Sequence, residues 1–520
     1  MSYYTSDNAR RSIWHTATFR IASQASTLAS YVVLVRALSE HDFGVFNLLY
    51  AIIPVVSTIA SLGIEQTLRR FEPVYLRAGQ QGLADWLVRT ASRVRLVTNL
   101  VFLLVILALW SWLGPIFRIG PYRAEFVVFS IIVLLHFQTG VLAISLSSHM
   151  LHRHSVGMVV VLSLAKLLAY LALFLTDNLG LMTAIVADCV AYALMYAGLR
   201  LAHRRYCSPA IPLEPAAGRI PLPADDRRRI VRYGLFNNFN DSGSLLLSSH
   251  ADNFFVAAIL TPASVGAYAF YSRINEMAEQ LLPTRQFSGV MLPMIFAVRP
   301  EEANEKLPRY FTFLVNVSLC VHLPILAFFG VYHREIVQFV FDGKFAQYSS
   351  LLPLITAFGL LGAVSETAAI VAQYHERAGI ILLGKVFAFS NVIGLLVMVP
   401  VAGIYGAAIS TGTSIALKNI FVWWHVRRSA RWRNWRPALL SASMVWGGYC
   451  VVAGGIKDFV AGSLLLQLMV GALLGAVFAL AYLRTAALSM ADRELVGRLV
   501  SGKAADLARL LGVMPRASGA

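Results

Sequence analysis

The chain is short of charged residues and of cysteine. Only 14% of its 520 residues are charged, whereas a soluble domain carries about 25%. Its four cysteines lie far apart and match no spacing of a metal or redox site, so we expect neither a metal nor a cofactor. No cleaved signal peptide is expected, because residues 1–11 are polar and the following apolar stretch is too long for one. The shortage of charge argues against a soluble domain.

Apolar residues are abundant instead. They make up 58% of the chain, and the mean hydropathy is +0.65. Because a membrane-spanning helix needs about 20 mostly apolar residues, the sequence predicts an all-α polytopic membrane protein with about fourteen spans, of which the first and seventh are the least hydrophobic. The predicted spans are residues 13–35, 43–64, 94–113, 126–148, 156–176, 180–202, 231–258, 266–297, 311–330, 351–373, 378–400, 403–426, 437–455 and 460–484.

The basic residues predict the orientation of these spans. Most of the 44 Lys and Arg residues fall on one side of the membrane, and cytoplasmic loops are the ones that collect them. Both termini are therefore predicted to be cytoplasmic. The pI near 9.9 then reflects a basic rim on the inner leaflet, where anionic lipids attract it, and not a nucleic-acid partner. The few cations on the other side are Arg36, Arg118, Arg123, Arg334, Lys344 and Lys457.

Two stretches of the chain repeat at a nearly constant offset. Leu38-Ser-Glu-His-Asp-Phe-Gly-Val-Phe46 aligns with Leu260-Thr-Pro-Ala-Ser-Val-Gly-Ala-Tyr268 at an offset of 222 residues, and Gly180–Val186 aligns with Gly403–Ile409 at 223. Six spans per copy predict two parallel bundles related by an axis along the membrane normal. The predicted domains are a bundle at 1–202, a proline-rich cytoplasmic linker at 203–230, a bundle at 231–428, two further helices at 429–484 and a cytoplasmic tail at 485–520.

Ionisable residues inside the predicted spans mark candidate sites, because such residues are costly in lipid and normally face a cavity or a partner. Polar residues repeat at helical spacing in spans one, seven and eight, which predicts a central hydrated cavity. Arg273 and Glu276 are three residues apart, so mutual pairing is the alternative for them. The predicted cavity cations are Arg20, Lys166, Arg273, Lys385 and Lys418, with Asn237 and Tyr268 as further binding residues, and the predicted coupling or gating acids are Asp241, Asp252, Glu276 and Glu366.

These cations suit an anionic head group, since Arg clamps phosphate with two hydrogen bonds, and amide and aromatic side chains suit a sugar. Three histidines at a predicted cytoplasmic turn are interpreted as surface residues and not as metal ligands: His149, His152 and His154.

The order of several short motifs resembles a known family. These are Phe43-Gly44-x-Phe46, Ala251-Asp252 before Val265-Gly266-x-Tyr268, Leu282-Pro283 followed by Pro293, and Gly403-Ile-Tyr-Gly-Ala-Ala. Together they are similar to the polysaccharide transporters, the O-unit flippases of the MATE-like exporter superfamily. In that family Asp252 matches a recurrent acid.

The resemblance implies two six-helix bundles in a V shape, alternating access with possible H⁺ or Na⁺ coupling, and a location in the bacterial inner membrane. It implies a polyprenyl-diphosphate-linked glycan as substrate, flipped outward for O-antigen, capsule or exopolysaccharide, with a polymerase and export machinery as partners.

Two other functions stay open at this stage. A drug/cation antiporter of the same fold is compatible with the acids at 241, 252 and 276. A membrane glycan polymerase or ligase needs a substantial outer loop for its catalytic residues, and the longest predicted outer loop, at about 331–350, is small for that purpose.

Overall fold

The structure is a computed structural model that describes residues 6–207, 224–280, 295, 298–432, 435–460 and 463–484. All regular structure within these ranges is helical, as the hydropathy pattern predicts. The chain divides into two compact units, an N-terminal unit at Met1–Gly266 and a C-terminal unit at Ala267–Ala520. The predicted tail at 485–520 and most of the predicted linker at 203–230 lie outside the described residues.

The N-terminal unit is built on a core of four long helices. Helix α1 packs along α7, α6 packs along α8, and α7 contacts α8. Helices α3 and α4 pack together against α6, while α9 and α10 pack on α2. The helices are α1 (Ser6–Ala37), α2 (Glu40–Ile59), α3 (Ile64–Arg77), α4 (Gln81–Ala108), α5 (Trp110–Ile116), α6 (Arg123–Ser148), α7 (His152–Leu175), α8 (Leu181–Tyr206), α9 (Ala224–Leu245), α10 (Ser249–Ile259) and α11 (Pro262–Glu279), the last of which continues into the C-terminal unit.

The C-terminal unit is organised around one long helix, α12. Helix α13 lies between α12 and α15, and the last two helices, α16 and α17, pack on α12 and on each other. Aromatic side chains fill this last interface, among them Tyr332, Trp446 and Tyr449. The helices are α12 (Ala303–Phe341), α13 (Leu351–Tyr374), α14 (Ala378–Gly384), α15 (Phe387–Val426), α16 (Trp435–Phe459) and α17 (Leu464–Arg484).

Ten helical segments among the described residues are long and apolar enough to cross a membrane. One of them covers residues 379–426 and so contains both the eleventh and the twelfth predicted spans. Gly403 separates the two halves of α15, with φ 58° and ψ −138°, a conformation that only glycine adopts readily. The ten do not include the first, seventh and eighth predicted spans, so the total of fourteen stays a prediction.

Two predicted elements differ from those in the structure. The seventh predicted span is two helices, because α9 ends at Leu245 and α10 begins at Ser249, with extended backbone at Ser248 (φ −116°, ψ 150°). The predicted polar stripe from residue 237 to 252 therefore does not continue through one helix. In addition, α12 runs on to Phe341, so the outer loop expected at 331–350 is mostly helix.

The repeated glycines meet each other at the start of α2 and of α11. A Cβ atom on Gly44 would lie 1.7 Å from the carbonyl oxygen of Pro262, and one on Gly266 would lie 3.1 Å from the backbone nitrogen of Gly44. No side chain fits in such a space, so the two helix starts pack backbone to backbone. Gly44 and Gly266, which the repeat in the sequence aligns, thus lie in direct contact within the N-terminal unit.

Candidate functional site

A buried ion pair lies at the centre of the N-terminal unit. Asp188 on α8 is 0% exposed, and its Oδ2 atom is 3.0 Å from Nζ of Lys166 on α7. The hydroxyl of Tyr170, one turn after Lys166, donates to Oδ1 of Asp188 at 2.7 Å. The hydroxyl of Tyr50 on α2 donates to Oδ2 and itself accepts a hydrogen bond from Lys166 at 2.9 Å. Both oxygens of the carboxylate are therefore occupied.

Aromatic rings enclose the Lys166 ammonium as well. Its Nζ atom lies 5.1 Å from the ring centre of Tyr50 and 5.0 Å from that of Tyr192, which are distances for cation–π attraction. With its charge balanced and its donors directed at Asp188 and Tyr50, Lys166 has little capacity left for an anionic ligand. No spacing in the sequence pairs Lys166 with Asp188, because the acid lies on a different helix.

A second buried cation lies between α3, α4 and α6. Arg95 is 0% exposed, and its Nη2 atom is 3.1 Å from Oε1 of Glu65. Its guanidinium carbon lies 4.2 Å above the ring of Phe137. Next to it, the Ser92 hydroxyl donates to Oε1 of Gln138 at 2.5 Å. This second polar cluster, like the first, joins helices inside the unit.

The C-terminal unit carries an ion pair of a different kind. Arg273 and Glu276 on α11 are 3.1 Å apart, with side chains 40% and 32% exposed. The pairing that the sequence left open is thus present, but the guanidinium keeps much of its surface accessible. One turn further on, the Asn275 amide donates to Oε1 of Glu279 at 2.9 Å. That carboxylate oxygen is 2.8 Å from where a Cβ of Gly359 on α13 would lie.

The other two described cations of the prediction lie near each other in the C-terminal unit. The Cγ atom of Lys418 on α15 is 3.3 Å from the position that a Cβ on Gly384 would take. Gly384 directly precedes Lys385, and both lysines are partly buried. The structure thus brings Lys385 and Lys418 to one region of this unit.

The remaining predicted site residues have varied surroundings. Asp252 is 0% exposed on α10, and Tyr268 on α11 is 3% exposed. The Asn237 amide donates to the Tyr233 carbonyl of its own helix at 2.8 Å. Three further side chains lie outside the part of the chain that the structure describes: those of Arg20, Asp241 and Glu366.

Sequence reasoning missed several members of the polar clusters. Asp188 is an ionisable residue in an apolar span, and that signal was available, but no spacing rule links it to Tyr50 or Tyr170 on other helices. Arg95 lies near the middle of α4 (Gln81–Ala108), but the predicted span begins at residue 94, so the sequence places this residue at the end of a span. His149, interpreted as a surface residue, is in fact 8% exposed, because α6 ends against α3 and α8.

Polar groups inside apolar helices are also a feature to compare with those of known protein families. A family model described as "Polysaccharide biosynthesis protein" matches residues 33–350, more than half of the chain. The chain belongs to this family. The resemblance drawn from the short motifs is confirmed. No curated protein sequence matches the chain.

Solved structures agree on the fold of this family member. One titled "Lipid II flippase MurJ, inward closed conformation" is similar with a TM-score of 0.65 at 11% identity, covering 90% of this chain and 99% of that one. An inward-facing multidrug resistance MATE family transporter of the MOP superfamily gives 0.62 at 14%, covering 78% and 95%. A MATE crystal structure in the bent conformation gives 0.53 at 14%, covering 81% and 96%. At these identities only the fold is shared.

The family match and the ten long apolar helices together place the chain among the multi-pass membrane proteins of a polysaccharide-biosynthesis family. Its fold is one that solved flippase and transporter structures also have. The all-α fold class predicted from hydropathy is confirmed.

Proposed function

We propose that the protein flips a polyprenyl-diphosphate-linked oligosaccharide from the inner to the outer leaflet of the bacterial inner membrane, for the synthesis of a surface polysaccharide. The observation that carries the proposal is the polysaccharide-biosynthesis family match over residues 33–350. A hydrophilic glycan on a lipid carrier needs a polar path across the bilayer, and charged side chains inside apolar helices are the groups that such a path requires. The transporter-type fold supports this role.

Arg273 is the cation best placed to hold the diphosphate. Its side chain is 40% exposed, whereas that of Lys166 is 18% exposed and bonded to Asp188. A guanidinium offers a phosphate two parallel hydrogen bonds. Glu276 occupies the guanidinium in the present structure, so a diphosphate would displace this carboxylate. The exchange of one anion for another keeps Arg273 neutralised both with and without substrate.

Lys385 and Lys418 supply a second region of positive charge in the same unit. Together with Arg273 they would bind the head group at successive positions along its path. The predicted coupling acids would take up or release the coupling ion. For net transport the ligand must bind differently to two states of the protein. The coupling ion, H⁺ or Na⁺, and the cytoplasmic location of both termini are parts of this proposal.

The proposal is tested by expressing the protein in a bacterium whose own flippase gene for the same glycan is deleted, and by measuring the glycan that reaches the cell surface. Loss of a hydrogen bond to a charged group costs about 1.5–3 kcal/mol, which is about a 10- to 100-fold loss of affinity. Arg273→Ala should therefore reduce surface glycan at least about tenfold at unchanged protein level, with lipid-linked glycan accumulating inside. Arg273→Lys, which keeps the charge but not the planar fork, should recover part of the export.

The chain offers a matched control. Arg299 also pairs with an acid three residues later, Glu302, at 2.9 Å, but the pair lies before the span that begins at residue 303. Arg299→Ala should leave export unchanged. Normal export by Arg273→Ala would remove this residue from substrate binding. Resistance to cationic dyes on overexpression, without any glycan export, would instead establish the antiporter alternative.

A further inference from the structure

A buried carboxylate lies where three helices meet. Glu72 lies on α3, which is not among the ten candidate spans, and it is 0% exposed. The hydroxyl of Ser145 on α6 donates to Oε1 of Glu72 at 2.5 Å. The same hydroxyl oxygen is 3.1 Å from Nε2 of His203 on α8. The three side chains form a chain of hydrogen bonds in which Ser145 is the middle member.

The contact between Glu72 and His149 is longer than a hydrogen bond. Nδ1 of His149 is 3.9 Å from Oε1 of Glu72 but only 2.9 Å from the carbonyl oxygen of Ser145. A carbonyl only accepts, so the Nδ1 proton of His149 is directed at the backbone and not at the carboxylate. This geometry leaves hydroxyl groups as the donors to Glu72.

The other charged groups around the cluster come from each helix packed on α3. Asp85 on α4 acts on both Glu72 and His203, and Arg200 acts on His203 from its own helix. From α9, Asp226 and Arg229 act on Tyr75, one turn after Glu72. A buried carboxylate that is also repelled by another acid is unfavourable when ionised. Burial, against the opposing effect of the Ser145 and Ser148 hydroxyls, raises the pKa of Glu72 to about 7.

We propose that Glu72, Ser145 and His203 form a proton-binding relay, with Glu72 as the site of the bound proton and His203 as its entrance. His203 is partly exposed, whereas Glu72 and Ser145 are 0% exposed. The ligand is thus a single proton exchanged with the water at the ends of α3, α6 and α8. The role of this proton in coupling rests on the proposed function, but its binding does not.

The hydrogen bonds define how the proton moves. With Glu72 ionised, Nε2–H of His203 donates to Ser145 Oγ, whose own proton is directed at Glu72 Oε1. A proton from water binds Nδ1 of His203, the Nε2 proton passes to Ser145 Oγ, and the Ser145 proton passes to Glu72. The result is a neutral carboxylic acid, a neutral hydroxyl and a neutral imidazole with its proton on Nδ1. One proton is taken up, and the negative charge of Glu72 on α3 is neutralised.

Infrared titration of the purified full-length protein tests the relay directly. A protonated carboxylic acid has a carbonyl stretch that an ionised one lacks. The spectrum of the wild-type protein minus that of Glu72→Gln should contain such a band. As the pH is raised, the band should disappear with a midpoint near pH 7, the pKa of Glu72. Glu301→Gln, which removes an exposed carboxyl from the short 3-10 helix before α12, is the control, and its spectrum should keep the band that Glu72→Gln loses.

Two further variants separate a relay from an isolated buried acid. Ser145→Ala removes a donor to the carboxylate, so the midpoint should move to higher pH, and the exchange of the proton should slow. His203→Gln should slow the exchange at least tenfold and shift the midpoint less. A carboxyl band that is absent from the wild type, or one whose proton exchanges equally fast in the wild type and in both variants, would overturn the relay. An intact relay in a protein that moves no glycan would instead overturn the proposed function.

Thermal unfolding against pH gives an independent measurement. Because the folded state raises the pKa of Glu72 from its usual 4.5 to about 7, the folded state binds the proton more tightly than the unfolded state does. Stability from this group is therefore complete below about pH 4.5 and is lost as the pH rises toward 7. The Tm of the wild-type protein should fall over this window relative to that of Glu72→Gln, and parallel curves would contradict the assignment.

Discussion

The two units of the molecule each contain a Lys or Arg paired with an acid, but the two pairs differ in exposure. In the N-terminal unit, Asp188 is 0% exposed and is bonded to Lys166 and to two tyrosine hydroxyls. In the C-terminal unit, Arg273 and Glu276 are 40% and 32% exposed and lie on the same helix. The first pair is assembled from three helices, whereas the second requires only one.

This difference separates a structural role from a binding role. A buried pair that is bonded mainly inside the protein fixes the positions of its helices and has little capacity left for a ligand. A pair with accessible surface exchanges its acid for another anion at little cost, since exposed ion pairs contribute only about 0–1 kcal/mol. Charge alone therefore does not identify the binding residues of such a protein, and exposure is the better guide.

The largest expected effect comes from breaking the buried pair. Removal of one partner of a buried ion pair leaves an uncompensated charge and costs about 3–5 kcal/mol. Asp188→Asn and Lys166→Gln should each lower the Tm of the detergent-purified protein strongly. The double variant keeps polar partners for the Tyr50 and Tyr170 hydroxyls while it removes both charges, so it should recover at least about half of the loss. Equal instability of the single and double variants would contradict a role for charge balance.

A smaller effect is expected where glycines bring helices together. In the N-terminal unit a Cβ on Gly44 would meet the backbone carbonyl of Pro262 at 1.7 Å, whereas in the C-terminal unit one on Gly359 would meet the end of the Glu279 side chain at 2.8 Å. A backbone cannot move aside as a side chain can. Gly44→Ala should therefore cost about 1–3 kcal/mol.

Gly359→Ala is the comparison variant and should cost less than about 1 kcal/mol, because the Glu279 carboxylate can change rotamer. Gly330→Ala, in a helix with nothing within 4 Å of its Cβ position, is the neutral control and should keep or raise the Tm, since alanine favours helix. Equal losses for Gly44→Ala and Gly359→Ala would contradict the distinction between rigid and adaptable contacts. All three changes are measured by thermal unfolding.

The sequence predicted the elements of the fold better than the contacts between them. Hydropathy located most of the spans, and the offset of 222 residues paired Gly44 with Gly266, which do meet in the structure. The helix break at Ser248 was not predicted, because the polar residues on both sides of it keep helical spacing and so resemble one continuous polar stripe. Periodicity carries no information on a turn of three residues.

The site was only partly predictable for a related reason. Pairing within one helix, as in Arg273 and Glu276, follows from a spacing of three residues. Pairing across helices, as in Lys166 and Asp188, depends on which faces meet, and a single sequence does not encode this in any spacing. Lys166 was therefore interpreted as a cavity cation. Whether it also contacts substrate stays a prediction.

The exposed pair should contribute least to stability. Glu276→Gln removes one partner of a pair that is about a third exposed, so water replaces the lost partner and the stability should change by less than about 1 kcal/mol. The affinity of the protein for a diphosphate should instead increase. With its competitor gone, Arg273 should bind a soluble diphosphate more tightly, by a few-fold, in isothermal titration of the purified protein, and this gain should be absent in Arg273→Ala/Glu276→Gln. A large loss of Tm in Glu276→Gln without a gain in affinity would show that this pair, like that of Lys166 and Asp188, is structural, and would leave Lys385 and Lys418 as the cations for the head group.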